Sequence, residues 1–228
     1  MKVRIKFSKE GVMRYIGHLD IMRYFQKCMR KADVDIAYSS GYSPHQIMSF
    51  ASPLGVGLES GGEYFDIELN SGTSESVKNA LNHVMVPGMK IISVRKLEDN
   101  VKNAMASIAA AEYTVAVKEE YEDPHTDPSR VGDFLKQDSI IILKQTKKSE
   151  TEFDIRPHIY SFDYNGQSYR LTVDASSSGN IKPLMAVNEY NRFCNVNVPD
   201  KIYRVYREEI YTLKDGKLVS LESMGEEF

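Results

Sequence analysis

The sequence predicts an α+β fold of two modules in tandem, and three observations predict it. Strand-like and helix-like patterns follow one another as βαββαβ over residues 1–98, and the same order begins again, more loosely, over residues 113–228. The composition is that of a chain that buries a core: 228 residues, 42% hydrophobic and 27% charged, enough for one large domain or two small ones. The βαββαβ order is that of the ferredoxin-like unit, an antiparallel sheet with both helices on one face.

Each element has a local reason. Val3, Ile5 and Phe7 alternate with Lys2, Arg4 and Lys6, the period-2 pattern of a strand with one wet, basic face. Leu19, Met22, Phe25, Met29 and Ala32 then recur at three- and four-residue steps, which predicts a helix over about residues 18–32 with those five on its buried stripe. Arg23, Lys27, Arg30 and Lys31 share its other face. After the turn chemistry of Ser39-Ser40-Gly41-Tyr42-Ser43-Pro44, Ile47–Ala51 and Tyr64–Leu69 read as strands joined by a glycine-rich loop. Ser74 reads as the cap of a second helix to about Val84, and Pro87-Gly88 stops it before the strand Met89–Leu97.

Val101–Ala111, rich in alanine, reads as a helix inside a linker over 99–112. The second module then runs strand 113–118, helix 128–136, strand 139–145, strands around 153–164 and 168–174, helix 183–193 and strand 202–213.

Charge and cysteine narrow the function classes. The net charge is −3, yet residues 1–31 carry nine Lys/Arg against Glu10 and Asp20, a local balance of +7 that marks a basic patch. Cys28 and Cys194 are far apart and form no CxxC, which excludes a disulfide framework, a zinc ribbon and a self-contained iron–sulfur site. The start of the chain alternates charge with apolar residues, and no apolar run approaches the ~20 residues of a membrane span, so a cytoplasmic protein is expected.

The run Arg14-Tyr15-Ile16-Gly17-His18-Leu19-Asp20 with Arg23, then Tyr38 to His45, then Met48-Ser49-Phe50-Ala51-Ser52-Pro53-Leu54, Gly57, Glu59-Ser60 and Glu63, resembles the radical-SAM-linked family of unknown function DUF2344. The resemblance is specific over residues 1–112; beyond them it rests on Asp154-Ile155-Arg156-Pro157 and Arg204. Ser40 and Gln46 depart from it, at positions where Gln and Pro are usual. Members of that family occur free or fused to a radical SAM protein with a cobalamin-binding-type domain, often beside ribonuclease G and ribosomal protein genes. The resemblance therefore implies an RNA setting and a radical SAM partner. This chain has no CxxxCxxC cluster site, so it would be the companion of that enzyme.

Several residues are candidates for phosphate or RNA. Arg14, His18, Asp20 and Arg23, with Lys27 beyond, surround the start of the first helix, where free N–H groups and the dipole favour an anion. The structural alternative is that His18 caps the helix and Asp20 pairs with Arg23. Tyr42, His45, Ser49 and Phe50 lie on a loop leading into a strand, where an RNA-binding sheet presents aromatics to bases; Phe50 in the core is the competing reading. Arg156 beside Pro157 is a further phosphate candidate. Glu59, Glu63 and Asp66 offer oxygen ligands without a metal-site spacing, so no metal and no cofactor is expected.

Three functions compete. The first is a non-catalytic RNA-binding or substrate-presenting accessory of a radical SAM enzyme, acting on rRNA or tRNA. The second is a metal-independent endoribonuclease of tandem ferredoxin-like type using His18 or His45. The third is a module in which residues 18–63 dock the radical SAM partner without RNA. No DNA and no membrane partner is expected.

Overall fold

In the computed structural model, which describes residues 1–145 and 150–228, the chain divides between Ile108 and Ala109 and again between Glu208 and Glu209. The first unit opens with β1 (Lys2–Lys9), α1 (His18–Lys31), β2 (Met48–Phe50), β3 (Glu59–Glu68), α2 (Ser74–Val84), β4 (Met89–Leu97) and the short α3 (Ala104–Ser107). The second unit holds β5 (Ala110–Val117), α4 (Val131–Leu135), β6 (Ile141–Gln145), β7 (Glu150–Asp154), β8 (Ile159–Tyr164), β9 (Ser168–Asp174) and α5 (Pro183–Phe193). Strand β10 (Tyr203–Lys214) crosses the second boundary, and β11 (Lys217–Ser220) and β12 (Gly225–Glu226) follow it in the first unit. The architecture is α+β with mainly antiparallel sheets. The domain limits differ from the expected ones: residues 209–228 return to the first unit, because they bring Ile210 and Leu221 to its core.

In the first unit β1 lies antiparallel between β3 and β4, and β2 adds to β3. Val3, Ile5 and Phe7 of β1, with Phe65 and Ile67 of β3, pack against Ile21, Phe25 and Met29 of α1 and Val77 and Leu81 of α2. The α1 stripe is thus Ile21, Phe25, Cys28 and Met29, with Met22 and Ala32 only partly buried against it. Leu19, expected inside, is exposed. It lies two residues from Ile21, about 200° around a helix of 3.6 residues per turn, and so points away from the sheet. Thr73, not Ser74, caps α2: its hydroxyl accepts from the Ser76 N–H while Ser76 Oγ accepts from the Thr73 N–H. The helix expected over 101–111 shrinks to α3, since Ala110 and Ala111 already pair with β9.

The other face of β1 corrects a larger expectation. Arg4 is only 1% exposed and holds Asp66 in a bidentate pair, 2.8 and 3.0 Å. Asp66 Oδ2 also accepts the Ala104 N–H at 2.7 Å, and Arg4 donates to the Lys102 carbonyl at 3.2 Å. Lys6 sits between Glu209 at 2.8 Å and Glu222 at 3.1 Å. Burial pulls its ammonium down, but the bonds and charges of Glu209 and Glu222 outweigh this and hold its pKa above the ordinary lysine value. That face is not wet because α3 and residues 209–228 cover it, burying Tyr64, Ala104, Ile210 and Leu221 in a second small core.

In the second unit β9 lies between β5 and β8, β10 follows on β5, and β6 and β7 form a separate hairpin. Phe134, Phe162, Tyr169 and Tyr190 pack in its core with their rings tilted or edge-on to one another. Buried Asn191 is partnered at both ends of its amide, accepting from Tyr169 and Thr126 and donating to Tyr203. Beneath the loop that leaves β9, His158 Nδ1 lies 2.9 Å from Asp174 Oδ2. Gly179 closes over the pair so tightly that a Cβ there would fall 2.1 Å from the carboxylate.

Burial pushes the Asp174 carboxyl up, but the bonds from Ser176 and His158 outweigh it and hold it below 3.8. A depressed folded-state pKa contributes stability above the unfolded value and loses it as pH falls through the folded one. Asp174→Asn should therefore melt lower than wild type at neutral pH, with a gap that narrows below pH 3.8. Melting curves across the acid range check this; a gap unchanged down to the most acid pH at which wild type stays folded would contradict it.

Candidate nucleic-acid interface

The segment between β1 and α1 carries most of the residues singled out by sequence. The chain turns at Gly11, whose φ of +58° suits glycine, into a 3-10 turn over Gly11–Tyr15. Gly17 then caps α1, its carbonyl accepting from the Asp20 and Ile21 N–H groups. His18 is thus the first helical residue and not the cap.

Buried polar groups pin this turn from below. Glu59, 2% exposed, accepts the Gly11 N–H at 2.7 Å and lies 3.6 Å from the Arg14 guanidinium. Lys9 shares the inward parity of Val3, Ile5 and Phe7, and its buried ammonium donates to the Ile16 carbonyl at 2.9 Å. The Gly57 N–H donates to the Arg14 carbonyl, and the Glu10 N–H to the Gly88 carbonyl, each at 2.8 Å. Gly88 has φ +89°, and a Cβ on it would stand 2.4 Å from the Glu10 carbonyl oxygen. The turn is held on both sides by backbone hydrogen bonds, and on the Gly88 side there is no room for a Cβ.

Arg14, His18, Glu59 and Glu63 are drawn toward this place. His18 is half-buried, edge-on to the Phe50 ring at 5.6 Å, and lines a small crevice with Lys9, Ser52, Leu54 and Glu63. Asp66 is not part of the group. Successive strand side chains point to opposite faces, so Asp66 turns to Arg4 while Glu63 turns, with Phe65, toward α1. Among the described residues no set of three or more His, Cys, Asp or Glu is placed to hold a metal ion.

Asp20 and Arg23 pair at 3.4 Å with both side chains largely in water, where such a pair contributes little. Lys27, Arg30 and Lys31 continue the exposed face of α1. Of the cations counted in residues 1–31, Arg4, Lys6 and Lys9 are spent inside the unit, so the basic patch reduces to the α1 row, Lys2 and the partly exposed Arg14, which lies beside Glu59. The Tyr42 side chain is fully exposed on its loop. His45 Nδ1 meets the Ser39 hydroxyl at 2.9 Å, and the residue lines a separate cavity of about 260 Å³ with Lys2, Ser49, Asp66 and Glu68. Phe50 is core, packed on Phe7, Phe25 and Phe65. Arg156 stands in the second unit, where its Nε donates to the Leu135 carbonyl at 2.8 Å and ties α4 to the turn after β7.

The model of a family described as an uncharacterized protein conserved in bacteria, DUF2344, matches residues 2–183. The chain belongs to that family. The matched span takes in the whole 3-10 turn and α1, and Arg156 as well. No curated protein matches this DUF2344 chain. Among solved structures it is similar to a chain of the crystal structure of a Cbf5-Nop10-Gar1 complex, with 9% identity and a TM-score of 0.47 over 96% of this chain and 52% of that one. It spans about half the length of the solved chain it matches. Among the described residues no helix is long and apolar enough to cross a membrane.

Two residues of this place do not stand out in the sequence. Lys9 contributes there only as charge, although its parity with Phe7 marks it as inward. Tyr15 lies in the motif without a role of its own; exposure, which only the structure supplies, distinguishes it.

Proposed function

We propose that this protein is a non-catalytic RNA-binding accessory that presents rRNA or tRNA to a radical SAM enzyme with a cobalamin-binding-type domain. One observation carries the reading: Arg23, Lys27, Arg30 and Lys31 form an exposed row on α1 in which, among the described residues, Arg23 with Asp20 is the one ion pair. An unneutralised row of this kind binds a polyanion by releasing its counterions. The strand orders β4-β1-β3-β2 and β10-β5-β9-β8, with helices in the crossovers, support two tandem ferredoxin-like modules, a scaffold that many RNA binders use. The partner rests on the family resemblance. His18 and His45 have different neighbours, Phe50 and Ser39, so the nuclease alternative would have to rest on one of them with nearby cations.

The test is affinity for a tRNA transcript at several salt concentrations, for wild type and for Arg23→Glu with Lys27→Glu. Wild type should weaken steeply with salt, by roughly 0.9 in the log–log slope per duplex phosphate contacted. The double reversal should bind at least about tenfold more weakly at low salt, with a flatter slope. An affinity indifferent to both salt and reversal sinks the reading. Co-purification of the tagged chain with a radical SAM protein tests the partner separately.

A further inference from the structure

The same end of α1 exposes apolar surface that a row of cations does not explain. Val12, Tyr15, Leu19 and Val56 are each more than half exposed. Val12 and Tyr15 lie three apart on the 3-10 turn and so share a side, Leu19 follows four residues on, and Val56 precedes the Gly57 that bonds to Arg14. Tyr15 is the one aromatic ring of the four.

One face of its ring is already occupied. The Arg14 guanidinium carbon stands 4.9 Å from the ring centroid, and Nη2 donates to the Tyr15 hydroxyl at 2.9 Å. Arg14 is in turn steered by buried Glu59, which also anchors the start of the turn at Gly11. The ring is therefore a preorganised plane backed by a cation. Among the described residues no other ring or cation packs on Tyr15. From it Leu19, Arg23, Lys27 and Arg30 run along one helix face, with the cations at steps of about 4.5–6 Å along the axis.

We infer that Tyr15 is a stacking platform for an unpaired base of single-stranded RNA, whose backbone runs along Arg23, Lys27 and Arg30. This rests on the RNA reading above and narrows it. A duplex hides its base faces in its own stack, whereas a single strand offers each base to an aromatic plane while its phosphates follow the cations. The guanidinium behind the ring favours a polyanion with aromatic bases over a protein partner, to which Val12, Leu19 and Val56 would offer apolar surface and no countercharge for the row.

The experiment compares a labelled oligouridylate with a blunt RNA duplex of similar charge, by anisotropy. Wild type, Tyr15→Ala, Tyr15→Phe and the Arg23→Glu/Lys27→Glu double variant are each checked for an unchanged melting temperature. Tyr15→Ala should lose about tenfold or more on the oligouridylate and little on the duplex, while Tyr15→Phe binds both like wild type. The double reversal should weaken both. Equal loss on the two RNAs, or none on the oligouridylate, in Tyr15→Ala overturns the platform and leaves the RNA reading standing. Wild type that binds neither RNA overturns both and hands the apolar patch to a protein partner.

Discussion

Asp66→Ala is expected to destabilise the first unit by about 3–5 kcal/mol, the range for removing one partner of a buried ion pair. The size follows from what is left behind. Arg4 is 1% exposed, and its charge meets both oxygens of Asp66; without them it retains carbonyl partners at Lys102 and Leu221 and, among the described residues, no paired carboxylate. The Ala104 N–H loses its acceptor as well, which loosens the start of α3. Urea unfolding at neutral pH measures the effect. Asp66→Asn keeps an acceptor and should lose less, and pairing Asp66→Leu with Arg4→Met should recover much of the loss, because replacing both charges by apolar volume removes the desolvation cost along with the attraction. If Asp66→Ala unfolds within 1 kcal/mol or so of wild type, on the scale of an exposed pair, the buried bridge does not hold this face together.

Phe50→Ala carries a comparable penalty, about 3–5 kcal/mol for emptying an aromatic position in a packed core. Phe50 lies 5.0 Å from Phe65, 5.8 Å from Phe25 and 6.2 Å from Phe7, ring centre to ring centre, and it supports the His18 ring from beneath. Phe50→Leu, which keeps much of the volume, should lose appreciably less. The same variants decide between two roles for this ring. Folded Phe50→Leu should bind RNA like wild type, since a buried ring cannot stack on a base; a selective loss of RNA affinity without a stability loss would return Phe50 to the binding surface.

The positions of the elements could be read from one-dimensional pattern because their causes are local. The 3.6-residue period placed α1 over nearly its true length, and Pro87-Gly88 ended α2 where the chain turns into β4. The asymmetry of α1 was legible too: Arg23, Lys27, Arg30 and Lys31 are exposed, as their spacing implied. Leu19 was misplaced because its phase on the helix depends on which residue faces the sheet, and Ile21, not Leu19, does. The candidate site was half visible. Arg14, His18 and Asp20 were found through a motif around the helix start, but the anchors Lys9 and Glu59, and the exposure of Tyr15, depend on strands distant in sequence.

What the sequence determined by itself is therefore the run of strands and helices and the family, both encoded in neighbouring residues. What only tertiary structure decided is which charges meet water. Lys2, Arg4 and Lys6 have the same alternation in sequence, yet Lys2 is exposed while Arg4 and Lys6 are enclosed by α3 and by residues more than 200 positions later in the chain. A strand's period says that two faces differ; it carries no information about what covers the second face. Burial of a charge is set by the partner that arrives to neutralise it, and Asp66, Glu209 and Glu222 reach β1 only once the chain has folded back.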